Sequence, residues 1–134
     1  MRFEPYEAEY AAVPAMTDTE RLDYFLLRVF ETEEIWGLKT GTQWWSHRVA
    51  DDECLPLWPY RRYALEAALD EWYDGRPDSI SMEYFLYQTL PSLDDGIVLE
   101  IMPSAGRPGC RIRPAQLLSI LEGMLEAGEY RLEG

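Results

Sequence analysis

The chain holds a single histidine, His47, among its 134 residues. That scarcity removes most acid–base and metal-binding arrangements, which draw on imidazole as proton carrier or ligand. Cysteine is nearly as scarce. Cys54 and Cys110 are the two present, and without an export signal they are read as thiols rather than a disulfide. The opening Met1-Arg-Phe-Glu-Pro-Tyr-Glu has no apolar segment of the kind that directs secretion. No apolar run approaches the ~20 residues of a membrane-spanning helix. Also missing are the Gly-x-Ser-x-Gly elbow, a phosphate-cradling glycine loop and the dinucleotide fingerprint. These absences lead to the expectation of a cytoplasmic protein with no cofactor, no metal and no membrane partner.

What is abundant is acid. Twenty-five Asp and Glu stand against twelve basic residues, eleven Arg and Lys39, for a net charge of −13. A field of that sign repels phosphate backbones, so no nucleic-acid partner is expected, and it attracts a basic protein. It also keeps a protein in solution, whatever else it does. With 47% hydrophobic residues, five Trp and nine Tyr, the chain has ample material for a core, and its length suits one domain.

Residues 1–16 read as an N-terminal arm, with two prolines and aromatics of no sustained period, and 17–134 as one domain. Thr17-Asp-Thr-Glu20 fits a capping box, and Leu22, Phe25, Leu26, Val29 and Phe30 follow one helical face to about Thr32. A β-hairpin is predicted from Ile35–Lys39 and Gln43–Ser46 around Thr40-Gly-Thr42. Asp51-Asp-Glu53 reads as a turn, and Leu55-Pro-Leu57 as a short strand at a sheet edge. Pro59 opens a helix to residue 73. Ser81 caps a third helix, which Pro91 stops. Ile97–Met102 and Cys110–Arg113 are strands around a Pro- and Gly-rich loop, and Pro114 opens a last helix. The fold class is therefore α+β, a mainly antiparallel sheet of four to five strands with about four helices packed on it.

Several residues carry a specific pattern: Tyr24-Phe25, Glu34-Ile-Trp-Gly-Leu38, Trp44, Leu55-Pro-Leu-Trp-Pro59, Tyr63-Ala64 and Trp72. Phe85-Leu86, Leu90-Pro91, Asp95-Gly96, Pro103 and Arg113-Pro114 continue it. In this order they resemble an uncharacterised bacterial family, domain of unknown function 2750, over about residues 19–126. The adjacent Trp44-Trp45 and the following His47-Arg48 depart from its pattern. The resemblance implies one small α+β domain and no particular reaction.

No catalytic set is read from the sequence. His47 with Asp51, Asp52, Glu53 and Cys54 is the nearest approach to a ligand cluster, and it reads as a solvated turn. Glu100, an acid inside the most apolar strand, is more informative. Strand alternation places it on one face with Arg111 and Arg113, where an accessible cross-strand ion pair is expected. Along the helix from Pro59, Arg61 and Arg62 oppose the dipole, and Glu66, Asp70 and Asp74 form one acidic stripe. Trp36, Trp58 and Trp72 read as core. Trp44 and Trp45 must face opposite ways, one buried and one partly exposed.

The leading expectation is a non-enzymatic acidic interaction domain. It would bind a basic protein partner in the manner of an inhibitor or immunity protein, through Trp44, Trp45, Glu66, Asp70 and Asp74. The alternative is a small-molecule-binding or hydrolytic protein with its site at Glu100, Arg111 and Arg113. Mimicry of a nucleic acid is a third, weaker reading.

Overall fold

Thr17 fixes the start of the longest helix. Its hydroxyl accepts the Glu20 N–H at 3.2 Å and the Glu20 carboxylate accepts the Thr17 N–H at 2.9 Å. We describe the protein from a computed structural model covering residues 5–69, 75–93, 96–104 and 107–127. In it a short helix α1 (Glu7–Ala12) and a 3₁₀ turn at Val13–Ala15 precede this long helix, α2 (Asp18–Thr32). The segment read as an arm is thus helical in its centre, and its Val13 is buried in the core. Six residues are too few to sustain a helix in isolation, so α1 depends on what it packs against.

Among the described residues seven strands form two sheets. In the first, of order β2-β1-β5, β1 (Glu34–Thr40) pairs antiparallel with β2 (Gln43–Trp44) and with β5 (Arg76–Ser81). The predicted hairpin is present. β5 was not predicted. Its sequence, Arg-Pro-Asp-Ser-Ile-Ser, has little β propensity, and Pro77 is tolerated because β5 is an outer strand.

The second sheet has the order β3-β4-β6-β7, formed by His47–Val49, Asp52–Leu57, Ile97–Ile101 and Cys110–Ile112. Four of the five strand pairs in the two sheets are antiparallel, and β4 with β6 is parallel. Here an expectation is corrected: β4 is an interior strand, and it begins at Asp52 rather than after Glu53. Leu57 C=O accepts from Met102 on the β6 flank, whereas Trp58 exchanges two bonds with Trp36 on the other. Alternation therefore turns Pro56 N toward that second flank, beyond Cys54 where pairing with β3 ends. An interior proline costs no ladder bond there.

Helix α3 (Arg61–Leu69) starts two residues after Pro59, because Trp58 is still engaged with β1. The third helical stretch runs from α4 (Met82–Tyr84) through a π turn (Phe85–Thr89) into α5 (Leu90–Ser92). Ser81 caps it as expected, its hydroxyl accepting the Tyr84 N–H at 3.1 Å. Pro91 does not stop it. The wider π turn, with Leu90 N–H reaching Phe85 C=O, is where the helix accommodates a ring that cannot donate. Helix α6 (Pro114–Glu126) closes the described chain. The core between helices and sheets is built on Phe25, Val29, Leu38, Trp58, Leu99 and Leu117, each fully inaccessible to solvent. Among the described residues no helix is long and apolar enough to cross a membrane.

Candidate functional site

Glu100 stands opposite Arg111 in the β6–β7 register, as alternation requires. Its carboxylate goes elsewhere. At 2% exposure it is buried, with Oε1 at 2.7 Å from His47 Nε2 and Oε2 accepting the Gly109 N–H at 3.1 Å. Arg111 is exposed, and Arg113 meets Asp52 at 3.7 Å. The expected accessible ion pair is thus replaced by a buried carboxylate–imidazole pair. The physical reason is sheet order: β3 lies two strands from β6, and only Cys54 and Pro56 stand between His47 and Glu100 on that face. A buried carboxylate needs donors, and these two supply them.

The Gly109 contact is sterically tight. A Cβ there would lie 2.5 Å from Ile101 O, so the loop from Pro103 can return to β7 only with glycine at this point. Arg21, fully buried, donates from Nη1 to Met102 O at 2.9 Å and holds Met102 at φ 60°, a left-handed conformation costly for a long side chain. Trp58 Nε1 donates to Pro103 O at 2.9 Å. Glu100, Arg21 and Trp58 together clasp this loop.

His47 also stands opposite Cys54, on paired strands rather than in the solvated turn expected. Burial pushes the Cys54 thiol up, against a smaller opposing effect of Arg111, so it is held as a thiol and is a poor nucleophile. Cys54 and Cys110 are both free. Among the described residues no three His, Cys, Asp or Glu side chains converge on a point.

The proposed interaction residues fall in different places. Trp44 and Trp45 are both half-buried. Trp44 lies against β1, where a Cβ at Gly37 would come within 3.1 Å of its ring, and Lys39 Nζ sits 4.6 Å from the ring centroid. This gives the Trp-Gly-Leu motif its physical meaning. Trp45 stacks on His47 at 5.4 Å between centroids. Trp36 is half-buried and Trp58 wholly buried. Asp70, Trp72 and Asp74 lie outside the described residues. Glu66 is engaged: the Tyr10 hydroxyl donates to its carboxylate, and Arg62 Nε is 3.8 Å away.

Arg62, which opposes the α3 dipole, has its explanation in α1. It donates to Glu7 at 3.0 Å and its guanidinium lies 3.6 Å from the Tyr10 ring centroid. Tyr10 stacks on Tyr63 at 5.7 Å. Behind it, Glu9 accepts from Tyr24 Oη at 2.5 Å and Arg28 Nε at 2.9 Å, and the Tyr24 and Tyr63 hydroxyls are 2.9 Å apart. Since Tyr24 gives its proton to Glu9, Tyr63 donates to Tyr24. Burial drives both tyrosines upward in pKa, Tyr63 to about 12, so both remain protonated donors.

A surface that the sequence reading passed over lies on the third helical stretch. Tyr84 and Tyr87 are 57% and 56% exposed. With Gln88 and Pro91, also exposed, they form one outward stripe opposite the buried Met82, Phe85 and Leu86. Pro91 then borders a cleft of about 330 Å³ lined by Leu90, Leu93, Arg113, Pro114, Ala115 and Leu118. The signal was available in the spacing 84, 87, 91.

No curated protein and no solved structure matches the chain. The family model described as Protein of unknown function (DUF2750) matches residues 22–121, from the second turn of α2 to the middle of α6, and the chain belongs to that family.

Proposed function

We infer that this is a non-enzymatic acidic interaction domain of the cytoplasm that docks a basic protein, in the manner of an inhibitor or immunity protein, through the Tyr84–Pro91 stripe. The observation that carries the reading is the pair Tyr84 and Tyr87, more than half exposed, beside a cleft that Pro91 borders and that apolar side chains and Arg113 line, on a chain of charge −13. Tyrosine combines a large apolar ring with a hydrogen-bonding tip, and it is enriched where partners bind most tightly. Net charge steers a basic partner toward the surface, and the rings and cleft hold it. Trp44 and Trp45 serve this role less well, since both pack within their own chain. Glu66 is already committed to Tyr10 and Arg62. The reading of Glu100 as a small-molecule or hydrolytic site has less support. Both its oxygens are engaged, by His47 Nε2 and by the Gly109 N–H.

The test is affinity capture on the immobilised chain from a lysate of the source organism, with wild type and a Tyr84→Ala/Tyr87→Ala variant. The reading expects a protein of basic pI, retained by wild type, lost from the variant and eluted by raised salt. Retention that ignores the two tyrosines, or captured proteins without a basic bias, overturns it.

A further inference from the structure

The grip on α1 is made of directional polar contacts together with the packing of one ring, Tyr10, against the core. None of the six α1 residues is buried. Yet Glu9 is held at two points by Arg28 and Tyr24, Glu7 by Arg62, and the Tyr10 ring lies between Arg62 and Tyr63. Every one of these receiving side chains lies on α2 or α3, inside the residues matched by the family, whereas α1 lies outside them. Arg28 and Arg62 present guanidinium donors to α1 while each is also paired with a carboxylate of its own helix, Glu31 at 2.7 Å and Glu66 at 3.8 Å. The groove between α2 and α3 is therefore built like a receptor for a carboxylate-and-tyrosine segment. The linker behind α1 is secured separately: Arg107 donates to Pro14 O at 2.7 Å and Met16 O at 2.6 Å, and Val13 closes one side of a small cleft of about 80 Å³ over Trp58, Met102 and Pro103.

We propose that the α2–α3 groove is a recognition site for a short acidic helix of the form Glu-x-Glu-Tyr, occupied in cis by Glu7–Tyr10 and open to the same motif on a partner protein. The first Glu is read by Arg62, the second by Arg28 with Tyr24, and the Tyr by stacking between Tyr63 and Arg62. Tethered through Val13–Met16, α1 enjoys a high effective concentration, on the order of millimolar for a short linker. A free segment therefore binds with an affinity reduced by the fraction of groove that α1 leaves open. Once α1 is released its helix is lost, because a segment of this length does not hold a helix alone. The site thus switches between a cis-occupied and a trans-occupied state.

The experiment uses the full chain and a fluorescein-labelled synthetic peptide of residues 5–16, followed by fluorescence anisotropy. In the chain, Glu9→Gln/Tyr10→Ala weakens cis docking and leaves every groove side chain in place. Its melting temperature should stay within a few degrees of wild type, since no α1 residue is buried. The proposal expects the labelled peptide to bind this variant at least tenfold more tightly than wild type. Adding Arg28→Ala to the variant should abolish the gain. Equal affinity for wild type and variant, no binding to the variant, or indifference to Arg28→Ala overturns it. So does a wild-type dimer that dissociates on Glu9→Gln/Tyr10→Ala, which would assign the groove to a second copy of the chain.

Discussion

Glu100 shows how a single residue can be placed correctly and paired wrongly. Alternation along β6 is a local property, and it places Glu100 on one face with Arg111 and Arg113, of which the register sets Arg111 opposite. The actual partner comes from β3, and that depends on strand order, which no local pattern encodes. The distinction is measurable. Glu100→Ala leaves the Gly109 N–H and His47 Nε2 without their acceptor, and should cost ~2–4 kcal/mol in urea unfolding. Arg111→Ala, on the exposed side, should stay within about 0.5 kcal/mol. Equal costs would restore the cross-strand ion pair. Two glycines offer a second contrast. Gly109→Ala forces a Cβ against Ile101 O and should destabilise by ~2 kcal/mol or more. Gly123→Ala meets open space within α6 and should stabilise by ~0.5–1 kcal/mol, read as opposite shifts in denaturation midpoint.

At the level of elements, legibility followed self-sufficiency. Helix α2 carries its own cap and apolar face, so its start and end were readable from residues 17–32. The hairpin and the β6–β7 pair were likewise legible, as each is set by neighbouring sequence. β5 and α1 were not. β5 is a strand because β1 offers an edge, and α1 is a helix because α2 and α3 hold its side chains. The Tyr24–Tyr63 pair under α1 gives this element a pH signature. Both hydroxyls have pKa values raised in the folded state above the unfolded value of about 10. Above that pH the unfolded chain releases protons that the folded chain retains, so stability is full below pH 10 and falls between about 10 and 12. Each tyrosine contributes a slope of up to ~1.4 kcal/mol per pH unit in that window. Tyr63→Phe should remove a large part of this slope, measured by urea midpoints from pH 9 to 11.5. An unchanged slope would mean that the hydroxyl pair does not titrate with unfolding.

For the whole molecule, net charge dominates. A charge of −13 repels itself, so shortening the screening length from about 30 Å at 10 mM salt to about 8 Å near 150 mM should raise the melting temperature by a few degrees. A fall would mean that specific ion pairs such as Arg28–Glu9 outweigh the general repulsion. Exposed surface is the least legible property at this scale, because it is defined by what the fold leaves uncovered. Of Trp44 and Trp45 one was expected buried and the other partly exposed, and both are half-buried, whereas Tyr84 and Tyr87, which the sequence did not single out, are each more than half exposed. The central claim is that this stripe docks a basic protein, and position-specific photo-crosslinking in living cells tests it most directly. With a photoreactive residue at position 87, the account predicts one dominant adduct with a protein of basic pI, absent when the same residue is placed at exposed position 19. No adduct at position 87, or the same adducts at both positions, would contradict it.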